Sequence, residues 1–141
     1  QGRNGTALRD KWANGPQTYL GVAVAGCPNL YTITGPGSPS VLSNMALSIE
    51  QHVDFVADLI AWMRKENLTT TEAEESLEAK WAERVFEVAE PTVFMHAGSW
   101  YSGANIDGKP KIFMPYLGGV GTYREECEAV SDAGYQGFRF E

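Results

Sequence analysis

Leu30-Tyr31-Thr32-Ile33-Thr34-Gly35-Pro36-Gly37-Ser38-Pro39-Ser40-Val41-Leu42-Ser43-Asn44-Met45, running into Ala46-Leu47-Ser48-Ile49-Glu50-Gln51-His52, reads as a strand, a tight loop and a long helix. Residues 30–34 form a short apolar and β-branched run that ends at Gly-Pro-Gly. Gly35 and Gly37 permit backbone conformations that a Cβ would forbid, while Pro36 and Pro39 fix φ across the loop. Ser43 and Asn44 both carry side chains that cap orphan N–H groups, so the helix is expected to start there. Such a junction presents free N–H groups and a partial positive charge, which suits an electron-rich ligand. Most Gly/Pro turns into helices bind nothing, so the pattern by itself favours a structural turn.

Working outward, Ile49, Val53, Val56, Ile60 and Met63 recur at helical steps to about residue 65, with Phe55, Leu59 and Trp62 widening that face. His52 lies beside this stripe and reads as a packed side chain rather than a catalyst. Thr71-Glu72-Ala73-Glu74 has the wording of a capping box, opening a second helix through Leu77, Trp81, Val85 and Val88 to about residue 89, with its glutamates solvated. Upstream, residues 18–24 are β-branched and aromatic and predict a strand or an extended segment beside the sheet, and residues 30–34 a core strand. Downstream, residues 111–117 predict an edge strand broken by Pro115. Thr122 then caps a short helix with Tyr123, Cys127 and Val130 on one face and Gly134 at its end.

The 141 residues suffice for one ordinary core, and 43% hydrophobic with 21% charged residues is the composition of a soluble globular protein. A net charge of −7 argues against nucleic-acid partners and anionic membranes. No apolar run approaches the ~20 residues of a membrane span. Cys27 and Cys127 are too few and too far apart for a disulfide framework, so a reducing cytoplasm is the expected location. No ligand spacing suggests a metal site. There is no GxGxxG fingerprint, no phosphate loop and no nucleophile–base pairing, so no catalytic residue is assigned to this chain.

The loop's wording is more specific than its physics. Gly-Pro-Gly-Ser-Pro-Ser-Val-Leu-Ser-Asn-Met with Ser-Ile-Glu-Gln-His, and Ser-Trp-Tyr-Ser-Gly-Ala-Asn-Ile-Asp-Gly-Lys-Pro at residues 99–110, resemble the C-terminal part of the Baeyer–Villiger monooxygenases, in particular the phenylacetone and steroid branch. The resemblance runs through essentially all 141 residues. It departs at Cys27, where the family usually has an aromatic residue, and at Asp107, where it usually has proline.

The resemblance implies an α/β fold: the C-terminal segment of a split, Rossmann-like FAD-binding domain of a protein with two dinucleotide-binding domains, incomplete by itself. Residues 1–67 would be the return segment of the FAD domain and residues 68–141 the family's C-terminal extension. FAD and NADP are the implied cofactors, with Gly35, Asn44, Met45, Trp100 and Asn105 as cofactor-binding residues. Ser40, Val41 and Leu42 match the bulge that shapes the substrate pocket. The implied reaction inserts one oxygen atom of O2 into a small-molecule ketone through a C4a-peroxyflavin, giving an ester or lactone. The FAD fingerprint and the NADPH domain lie upstream in the family, so this chain, which begins Gln1-Gly2-Arg3 without Met, is expected to be a piece without activity of its own. Its bare sheet edges would invite self-association. The alternatives are a free-standing α/β binding module without redox activity and a heteroatom-oxidising flavin monooxygenase.

Overall fold

A computed structural model of the chain describes residues 1–95, 102, 107–108, 110 and 112–141. Its regular elements are helices α1 (Leu8–Lys11), α2 (Met45–Lys65), α3 (Glu75–Ala89) and α4 (Gly119–Asp132), with strands β1 (Thr71–Ala73) and β2 (Phe138–Phe140). The strands pair antiparallel, Thr71 opposite Phe140 and Ala73 opposite Phe138. This is an α/β segment in which helices predominate.

The middle of the core is a turn, not a strand. Leu20 and Gly21 have φ of 57° and 71°, and Val22 N–H returns to Tyr19 C=O at 3.0 Å, so residues 18–24 reverse direction where an extended run was expected. Residues 30–34 do not form a core strand either. Tyr31 makes one bridge to Ala23, and Thr34 turns to φ 53°, which ends any extension. Of residues 111–117, Tyr116 bridges Pro39 and Pro115 supplies no N–H to continue a ladder. The expected open strand edges are therefore absent from residues 30–34.

Around the turn pack Phe55, Leu59 and Met63 of α2, Trp81 and Val85 of α3, Tyr123 and Cys127 of α4, and Tyr135 and Phe138 near the C-terminus. Aromatic edges lock this layer: Phe55 meets Tyr135 at 5.6 Å, and Trp62 meets Phe140 at 4.9 Å.

Three local readings are corrected by this packing. The buried stripe of α2 is Ser48, His52, Phe55, Leu59 and Met63, while Ile49 and Val53 stand 42% and 49% exposed. The helix is rolled so that His52 faces inward, held by Thr34 and Tyr123. Thr71 and Glu72 do not cap α3; they pair with β2, and α3 starts after Glu74. Glu78 is not solvated: it is buried, accepting from Lys11 Nζ and from Ala25 N–H, both at 2.9 Å. Glu72 is likewise buried and accepts from Arg3 at 2.7 Å and Arg139 at 3.0 Å.

Two tests follow from the core. A Cβ on Gly21 would lie 2.6 Å from the Ser38 side chain, whereas one on Gly26, at nearly the same φ, meets nothing. Gly26→Ala should cost about 1 kcal/mol through the backbone alone, and Gly21→Ala about 2 kcal/mol or more. Equal urea midpoints for the two variants would refute the close approach. Second, burial pushes the His52 imidazole from 6.5 down to about 4. The unfolded chain then binds the extra proton, so the contribution of neutral His52 is full above about pH 6.5 and is lost as pH falls toward 4. The loss amounts to about 3 kcal/mol. Urea midpoints recorded from pH 7 to 4 should fall more steeply for the wild type than for His52→Gln.

Candidate functional site

Asn44 caps α2 through its side-chain oxygen, 3.0 Å from Ala46 N–H. The first intrahelical bond is Ser48 N–H to Asn44 C=O, so the N–H groups of Met45 and Leu47 precede the helical ladder. Twenty-one residues of aligned dipoles end here.

The loop before the cap is tied down from behind. Gly35 N–H donates to Gly21 C=O, and Gly37 N–H to Met114 C=O at 2.7 Å. Trp81 Nε1–H donates to Gly37 C=O at 3.0 Å, and Thr18 Oγ1 to Pro36 C=O at 2.6 Å. A Cβ on Gly35 would lie 2.4 Å from Thr32 Oγ1 and 2.6 Å from Gly21 C=O. Glycine is required there by contact with the buried turn behind the loop.

Between this loop, the start of α2 and residues 114–115 lies a cavity of about 530 Å³. Thr34, Gly35, Pro36, Ser38, Ser40, Met45, Met114 and Pro115 line it. No charged side chain is among these lining residues, and the positive end of α2 lies beside them.

The sequence-predicted residues divide as follows. Gly35, Ser40 and Met45 come together at the cavity. Asn44 acts on it through the cap. Val41 packs toward Ala89, Phe113 and Leu117, and Leu42 stands 62% exposed, so neither lines it. Trp100 and Asn105 lie outside the described residues. Sequence reasoning missed Met114 and Pro115, whose signal was the proline interrupting an apolar run. It also missed Trp81, which reads as ordinary helix core yet clamps Gly37.

A bound flavin can be tested against this geometry. A wall whose described lining is neutral, beside a helix start where Met45 N–H precedes the ladder, fits the electron-rich edge of a flavin ring. The described lining carries no Lys or Arg.

No protein-family profile matches the chain. It is 38% identical over 138 residues to a phenazine N-monooxygenase of Lysobacter antibioticus and, to the same extent, to a cyclohexanone 1,2-monooxygenase of an Acinetobacter species. Each alignment covers 98% of this chain and 25% of the relative. An oxidized steroid monooxygenase bound to NADP superposes with a TM-score of 0.90 at 45% identity, over 99% of this chain and 25% of that one. The chain thus spans about a quarter of the length of the relatives it matches, and over that quarter it matches a fragment of the Baeyer–Villiger monooxygenases.

Proposed function

We propose that this chain supplies the flavin-side wall of an FAD- and NADPH-dependent monooxygenase that inserts one atom of O2 into a small-molecule ketone, giving an ester or lactone. The observation that carries the reading is the cavity between the Gly35–Pro36–Gly37 loop and the start of α2, set in a chain that matches such enzymes throughout. Bound FAD, reduced by NADPH, would supply the oxygen-activating chemistry.

The chain's own residues orient and shield. Met45 and Leu47 N–H, at the positive end of α2, favour negative charge on the pyrimidine edge of the ring. The ties behind Gly35 and Gly37 keep those donors fixed, so they need no reorganisation when charge develops. Ser40 borders the space left for substrate, with Val41 and Leu42 shaping the loop beyond it. Trp100 and Asn105 are assigned to the segment that folds over NADP and excludes water, which strengthens every electrostatic contact inside. In this reading the segment works as a wall of the larger enzyme whose relatives it matches over a quarter of their length. Two free, buried cysteines fit a cytoplasmic location.

A second reading, oxidation of a ring nitrogen, is favoured by one observation: the phenazine N-monooxygenase and the cyclohexanone enzyme are equally similar to this chain. Incubating the full-length protein with NADPH, O2 and either cyclic ketones or nitrogen heteroaromatics separates the two. Ester or lactone products that carry one labelled oxygen from 18O2 support the first reading; N-oxides with no ester support the second. NADPH oxidation by residues 1–141 alone would overturn the assignment of this segment as a wall.

The flavin-side placement has its own test. Met45 lines the cavity at 42% exposure, so Met45→Glu is compatible with folding and sets a carboxylate where negative charge should develop. The Kd for FAD should rise about tenfold, equivalent to ~1.4 kcal/mol. An unchanged Kd and an unchanged bound-flavin spectrum would place the ring elsewhere.

A further inference from the structure

Thr34 opens the cavity loop in a left-handed conformation, φ 53°, that a β-branched residue adopts at a cost. What holds it is His52. Thr34 N–H donates to His52 Nδ1 at 2.9 Å, so Nδ1 carries no proton. In a neutral ring the proton then sits on Nε2, which is 2.6 Å from Tyr123 Oη. Tyr123 in turn donates its hydroxyl proton to Leu20 C=O, in the buried turn. The three contacts form one directed chain, Thr34 to His52 to Tyr123 to Leu20, with the direction set by Thr34 N–H, which can only donate. His52 and Tyr123 are both fully buried, so water offers no substitute partner.

We propose that His52 and Tyr123 are positioning residues that fix the cavity-lining loop, tying its first residue on one side to α4 and the Leu20 turn on the other. Neither touches the cavity, and both act through Thr34. The same two side chains span α2, α4 and the turn, so they set the loop and the start of α2 as one body. Their effect on a bound cofactor rests on the flavin reading above; their effect on the loop does not.

The test is hydrogen exchange, read by mass spectrometry, on the full-length FAD-loaded protein with Tyr123→Phe and Leu59→Ala compared at matched distance from their melting temperatures. Leu59 is a buried core residue of α2 with no part in the chain of contacts. Tyr123→Phe should raise exchange across residues 33–37 at least tenfold over Leu59→Ala, and should shift the absorbance maximum of the bound flavin. Equal exchange in the two variants would overturn the proposal. Faster loop exchange with an unmoved flavin spectrum would uphold the positioning role and count against the flavin reading. If Tyr123→Phe does not fold, His52→Gln and His52→Leu take its place. The glutamine amide can accept from Thr34 and donate to Tyr123 and should keep the loop protected, whereas the leucine should not. Equal protection in those two would also overturn the proposal.

Discussion

The structure depends on keeping a tight turn's backbone carbonyls satisfied in the middle of an apolar core. Residues 20 to 25 are almost entirely buried, so no water reaches their polar groups. Leu20 C=O is met by Tyr123, Gly21 C=O by Gly35 N–H and Thr32 Oγ1, and Val22 C=O by Thr32 N–H. Each partner sits on a different part of the chain. Satisfying three carbonyls therefore brings α4, the segment after residue 30 and the cavity loop to one place. Leaving a single buried acceptor unpaired costs roughly 1–3 kcal/mol, which makes the loop's position a consequence of the turn's demand.

That same demand explains which parts could be read from the sequence. The start of α2 was legible because Asn44 acts locally: its side chain needs only Ala46 N–H, two residues on. The extent of α3 past Trp81, and the buried pair Tyr123 and Cys127 on α4, were legible because helical spacing is a local signal too. Residues 30–34 have strand composition but lack a ladder: Leu30 N–H goes to Cys27 C=O, Thr32 N–H to Val22 C=O and Thr34 N–H to His52 Nδ1. Thr71 to Glu74 has the letters of a capping box, yet β2, nearly seventy residues on, takes Thr71 and Ala73 as partners. Composition carries no record of such distant competition.

The roll of α2 is the sharpest instance. By hydrophobicity, Ile49 and Val53 should face inward and His52 should sit at the margin. Instead a histidine occupies the centre of the buried face, where it accepts from Thr34 and donates to Tyr123. The transfer free energy forgone by leaving two aliphatic side chains about half exposed is small, ~1 kcal/mol each. Orphaning Thr34 N–H and Leu20 C=O would cost more. Polar satisfaction outweighs apolar burial here, and a hydrophobicity count has no means of registering it.

Charge distribution completes the logic of the cavity. The chain's excess of acidic groups is carried on outward-facing positions such as Glu50, Asp54 and Asp58 of α2, or is buried in ion pairs at Glu72 and Glu78. None of these carboxylates lines the cavity. The excess charge is thus kept off a wall whose described lining is neutral, beside the positive end of α2. Fixing the loop from behind serves the same end. The ties at Gly35, Gly37 and Thr34 all run into the core, and among the described residues none takes the N–H groups of Met45 and Leu47. A wall held by donors on its inner side keeps the outer donors for whatever occupies the cavity.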